Sequence, residues 1–123
     1  MVEGGNTFYL LQQIQQSDSA DVIHNYVKEG KVYIGSSAGS VIAGPDIYPL
    51  RFLDEPKEAP DLKGYTGLKL VDFVVVPHWG SEHFREKYMG EQIKNLYDDK
   101  NKIILLNDNQ YIEVKDDWYR IVE

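Results

Sequence analysis

The chain has 123 residues, room for one domain with a modest hydrophobic core. Its 20 acidic and 13 basic residues leave a net charge of −7, which speaks against nucleic acid or anionic membrane as the main partner, because phosphate binding needs a basic face. There is no cysteine, so disulfides, thiolate catalysis and cysteine-ligated zinc are excluded.

In chain order, Gly4-Gly5 opens into Asn6 to Gln16, where Phe8, Leu10, Leu11 and Ile14 share one helical face and Asn6 or Thr7 can cap the first amides. A second helix is predicted over Ser19 to Lys28, with Val22, Ile23, Tyr26 and Val27 inward and Gly30 ending it. Lys31 to Gly35 reads as a short strand, followed by a short helix from Ser37 to Ala43. Residues 44–66 carry four prolines (Pro45, Pro49, Pro56, Pro60), and so long an irregular stretch in a small domain reads as a functional loop or lid. Phe73-Val74-Val75-Val76 is apolar throughout, the pattern of a buried parallel strand. Ser81 to Tyr97 is the longest predicted helix, with Phe84, Tyr88, Ile93, Leu96 and Tyr97 inward and Gly90 weakening its middle. Ile103 to Leu106 is a further strand, and Tyr111 to Val114 pairs with Trp118 to Val122 as a hairpin. Helices alternating with buried strands predict one α/β layered domain over residues 1–123. The longest apolar runs are four residues, so a soluble, cytoplasmic location is expected.

Within "KVYIGSSAGSVIAG", Gly35-Ser36-Ser37-Ala38-Gly39 fits G-x-S-x-G, a serine on a tight turn between a strand and a helix. A serine hydroxyl needs a base to become a nucleophile, and donors for the developing oxyanion. The amide of Ala38 is placed to be one donor. In "VVVPHWG", His78 follows the end of a buried strand, at the carboxyl edge where α/β sheets place their sites. His24 sits mid-helix beside apolar residues and reads as structural. His78, Glu82 and His83 lack the i, i+4 spacing of a helical zinc site, so neither metal nor cofactor is expected. The orienting carboxylate is open between Asp46, Asp54 and Asp108.

Taken together and in this order, "GGNTFYLL", "YIGSSAGSVIAGP" and "DFVVVPHW" resemble the peptidase E family of serine peptidases, α-aspartyl dipeptidases related to cyanophycinases. The resemblance implies a class I glutamine-amidotransferase-like α/β fold with a mostly parallel sheet. It further implies Ser37 as nucleophile, His78 as general base, and the amides of Gly5 and Ala38 as oxyanion donors. For the acid it ranks Asp54 first and Asp108 second. The substrate it implies is a short peptide, an N-terminal-Asp dipeptide in particular. Recognising an acidic residue needs a cation, for which Arg51, Arg85 and Lys87 are the candidates. Family members carry a further segment before the glycine turn, so the reading is of an N-terminally truncated fold with an exposed sheet edge. A second copy of the chain or another partner is expected to cover that edge. The alternative is a catalytically impaired homologue acting as an oligomeric α/β module. An α/β-hydrolase esterase shares the order Ser, Asp, His but needs a far longer chain.

Overall fold

The computed structural model describes the backbone of residues 1–123 and the side chains of all but residues 91 and 92. The first helix, α1 (Thr7–Gln16), is capped by Asn6, whose side-chain oxygen accepts from the amides of Phe8 and Tyr9. Phe8, Leu11 and Ile14 lie on the face that packs into the core, as their spacing requires. They meet Val41 and Ile42, from α3 (Ala38–Val41) and its C-terminal cap, and the strand β1 (Phe73–Val76). β1 is buried along its whole length and serves two clusters by its period of two. Val74 and Val76 point into the main core, while Phe73 and Val75 pack with Ile104 and Leu106 on the other side.

β1 pairs in parallel with β2 (Lys102–Leu105), from Phe73 opposite Lys102 to Val76 opposite Leu105. The alignment continues past the strands: the Leu106 amide donates to the Val76 carbonyl at 3.0 Å and the Trp79 amide to the Leu106 carbonyl at 2.8 Å. The segments after both strands are thereby held side by side. β3 (Tyr111–Lys115) and β4 (Trp118–Val122) form the predicted antiparallel hairpin, fastened to the sheet by the Phe73 and Tyr119 rings, 5.1 Å apart.

Four expectations are corrected. Residues 31–35 are extended but form only a single parallel bridge, Val2 to Gly35, because Val2 is the one neighbour available among the described residues. In α2 (Ser19–Lys28) no residue is buried, and Val22 and Tyr26 are exposed. Ala20 and Ile23 are half-buried against the main core, while Val22 and Tyr26, on the outer part of the predicted apolar face, stay uncovered among the described residues. Residues 44–66 are not a loose lid. Two 3₁₀ turns, Tyr48–Phe52 and Pro56–Glu58, place Ile47, Pro49 and Leu50 in the core, since a segment with that much apolar surface is more stable packed than waving in water. Finally, the long helix is two, α4 (Glu82–Tyr88) and α5 (Glu91–Leu96), divided at Met89-Gly90; Leu96 is buried while Ile93 and Tyr97 are exposed.

The turn between the extended segment and α3 depends on backbone-to-backbone contact. A Cβ at Gly39 would collide with the Val2 carbonyl oxygen, and one at Gly35 would collide with the Gly39 carbonyl oxygen. Both contacts are with main chain, which cannot swing aside. Gly39→Ala is therefore expected to destabilise the fold by about 2–4 kcal/mol, read as a lower denaturation midpoint in urea.

Candidate active site

The close approach at Gly35 and Gly39 forces the chain to reverse at Ser37, which adopts φ 52° and ψ −118°. A non-glycine residue in that region holds about 1–3 kcal/mol of strain, and the surrounding packing maintains it. Tyr33 contributes: its hydroxyl donates to the Gly39 carbonyl at 2.7 Å, and burial pushes its pKa up to about 12. His78 is likewise at positive φ, 61°, just past the end of β1. Its preceding peptide is gripped by Tyr88, whose buried hydroxyl donates to the Pro77 carbonyl. Desolvation, with the charges of Asp108 and Asp54 adding to it, raises the Tyr88 pKa and keeps that hydroxyl a donor. Phe84, one turn before Tyr88 on α4, stacks nearly flat on the imidazole, with centroids 5.0 Å apart and planes 15° apart.

Ser37 Oγ lies 3.0 Å from His78 Nε2, and His78 Nδ1 lies 2.6 Å from Asp108 Oδ1. An ionised carboxylate only accepts, so Nδ1 carries the ring proton, and Nε2 of the neutral ring accepts from the serine hydroxyl. The parallel register explains the meeting. His78 is two residues beyond Val76, and Asp108 is three beyond that residue's partner, Leu105. The loop presenting Asp108 is closed by Asn107, whose side chain accepts from the Asn109 amide at 2.9 Å and whose carbonyl accepts from the Gln110 amide at 3.2 Å.

Asp54, ranked first as the acid, is not the partner of His78. Its Oδ2 accepts from the amide of Thr7 at 2.9 Å and the hydroxyl of Thr7 at 2.5 Å, so it ties residues 53–55 to the start of α1. The reason is topological: Asp54 lies just before the 3₁₀ turn Pro56–Glu58, which packs beside α1, whereas the loop after β2 runs alongside the end of β1. Asp46 is a turn former, accepting from the Tyr48 amide and from Asn101. His24 bonds the Leu68 carbonyl at 2.5 Å, as a structural histidine does.

Ser37 and His78 open onto a small pocket of about 70 Å³. Gly5, Thr7, Ala38, Leu50, Leu53 and Asp54 are among its walls, with Phe84 and Tyr88 closing one side. In the sequence Thr7 is legible only as a candidate helix cap and Leu50 and Leu53 only as part of the proline-rich stretch; the i, i+4 spacing of Phe84 and Tyr88 puts them on one inner face, but nothing marks that face as the histidine's. Arg51 does not reach the pocket: its guanidinium lies over the rings of Tyr48 and Phe52 and donates to the Tyr48 carbonyl. Arg85 is exposed on α4, and Lys87 donates to the Leu53 carbonyl at 3.1 Å. No cation lines the pocket among the described residues.

A serine on a strained turn, bonded to an imidazole that is bonded to a carboxylate, on an α/β scaffold, is the arrangement of the serine hydrolases. The model of Peptidase family S51 matches residues 1–122, and the chain belongs to that family. It is 45% identical over 85 residues to an uncharacterised peptidase of Pasteurella multocida, an overlap of 69% of this chain and 41% of that one. With an uncharacterised peptidase of Listeria monocytogenes it shares 36% identity over 114 residues, 93% of this chain and 55% of that one. The crystal structure of a candidate peptidase E protein from Listeria monocytogenes EGD-e superposes with a TM-score of 0.86 at 32% identity, over 98% of this chain and 57% of that one. The α/β fold is thus that of peptidase E, as the three motifs imply. The chain spans about half the length of the relatives it matches. No helix among the described residues is long and apolar enough to cross a membrane.

Proposed function

We propose that this chain acts as a serine peptidase on short peptides, with Ser37 as nucleophile, His78 as general base and Asp108 as the residue that orients it. The observation that carries the reading is the unbroken hydrogen-bonded series from Ser37 through His78 to Asp108. Ser37 Oγ attacks the scissile carbonyl carbon while Nε2 takes its proton. Asp108 stabilises the imidazolium that forms, and Nε2–H then protonates the leaving amine as the C–N bond breaks. Water, deprotonated by the same nitrogen, hydrolyses the acyl-serine. The amides of Gly5 and Ala38, whose residues both line the pocket, are the oxyanion donors in this scheme.

The size of the pocket favours short substrates. Incubation with dipeptides is expected to release free amino acids, while casein stays intact; the reverse outcome would contradict the reading. Preference for N-terminal Asp is the finer expectation drawn from the family, and none of its three candidate cations is among the walls of the pocket. Asp-Leu is therefore expected to be cleaved no faster than Ala-Leu, measured as kcat/KM.

The exposed apolar face favours association as a second property. Val32 is 75% and Ile34 54% exposed on an extended segment that, among the described residues, pairs only with Val2, and Val22 and Tyr26 of α2 are exposed as well. Unpaired edges of this kind recruit another strand. We expect a second copy to cover the face, with light scattering giving a dimer mass and Val32→Lys with Ile34→Lys returning the monomer.

A further inference from the structure

We propose that Phe84 is a positioning residue for His78 whose π face stabilises the positive charge that the imidazole takes up during the reaction, alongside Asp108. This rests on the peptidase reading of Ser37 and His78 and adds a further group to that site. Three observations support it. The ring of Phe84 lies nearly flat on the imidazole, with centroids 5.0 Å and planes 15° apart, so the cation forms within reach of its electron-rich face. The carboxylate partner is poorly shielded from solvent: the Asp108 side chain is 57% exposed, and water weakens its attraction for the ring. The stack is also held from outside. Tyr88, one turn further along α4, donates its hydroxyl to the Pro77 carbonyl and so ties the helix to the peptide before His78.

Proton transfer from Ser37 changes what the imidazole requires of its neighbours. Once Nε2 has taken the proton, the ring is a cation that has lost water on the side Phe84 covers. An aliphatic side chain there would impose that desolvation without compensation. The quadrupole of a benzene ring places negative potential on its face and compensates directly. The attraction grows as the charge develops, so it favours the transition state over bound substrate and belongs to kcat rather than KM. Two other groups touch the Phe84 ring. His83 meets it edge to face, with centroids 4.8 Å and planes 88° apart, and Lys87 Nζ lies 5.5 Å from its centroid. Lys87 is exposed and donates to the Leu53 carbonyl, so water and that carbonyl meet most of its charge.

The test alters the electrons of the ring and keeps its outline. Phe84 is replaced in turn by mono-, di-, tri- and pentafluorophenylalanine through stop-codon suppression. Each chain is assayed for hydrolysis of Ala-Leu and for the rate at which a fluorophosphonate labels Ser37, a reaction that forms the same imidazolium with no peptide bound. Both kcat and the labelling rate are expected to fall with each added fluorine, by about tenfold across the series, while KM stays within about twofold. Phe84→Leu should lose a similar factor, and Phe84→Tyr should keep the wild-type rates. Rates that stay level across the series, or a loss that falls on KM, would overturn the proposal, because a ring that only packs is indifferent to its own electron density. The fluorinated series stands even if Phe84→Leu does not fold. The peptidase reading fails separately: labelling graded by fluorine in a chain that hydrolyses no dipeptide keeps the role of Phe84 and loses the peptide substrate. No labelling of folded protein overturns both.

Discussion

Ser37→Ala is expected to lower kcat for dipeptide hydrolysis by at least about 10⁴-fold while KM moves little, because the substituted group makes its bond only on the way to the transition state. The fold should tolerate the change. Ser37 Oγ bonds His78, whereas the reversal of the chain at this point is imposed by the contacts of Gly35 and Gly39. The far-ultraviolet circular dichroism and urea midpoint of the variant should therefore match wild type. A variant that keeps more than about one per cent of the wild-type kcat would mean that another group does the chemistry.

The second large effect separates the two aspartates. Asp108→Asn is expected to reduce kcat by about 10³-fold, because an amide beside Nδ1 can donate to it and so favours the tautomer that puts the proton on Nε2, where it blocks acceptance from Ser37. The side chain of Asp108 is 57% exposed, so water partly solvates the imidazolium in its absence, and the loss should fall short of that seen for a fully buried acid. Asp54→Asn should behave differently, lowering kcat far less, because its carboxylate bonds Thr7 and not His78. Measuring kcat and KM for both variants on Ala-Leu decides the matter. If Asp54→Asn carries the larger fall in kcat, Asp54 is the orienting acid and Asp108 is not.

Much of this site is visible in the sequence because it depends on local rules. G-x-S-x-G encodes a turn whose glycines are demanded by main-chain contacts, and the unbroken apolar run Phe73 to Val76 marks a strand buried on both faces, so His78 falls at a sheet edge. The choice between Asp54 and Asp108 depends instead on which loop lies beside His78. That follows from the pairing of β1 with β2, a contact between residues about thirty positions apart that no local pattern reports. The resemblance to the family's motif ranks Asp54 first, and sheet register puts Asp108 there. The same limit explains α2 and residues 31–35. Their apolar faces are legible as faces, but periodicity carries no information on whether another layer lies against them. Residues 44–66 mislead for a different reason: prolines and missing periodicity suggest a loop, yet Ile47, Pro49 and Leu50 are inserted into the core one by one through 3₁₀ turns, which have no long repeat to detect.

The most direct test is covalent trapping. A fluorophosphonate reacts only with a hydroxyl that a neighbouring base has activated, so the wild-type chain is treated, digested and mapped by mass spectrometry. The expected result is a single adduct on Ser37, absent after His78→Ala. An untouched Ser37 in folded protein, or labelling that survives the loss of the imidazole, would contradict the account.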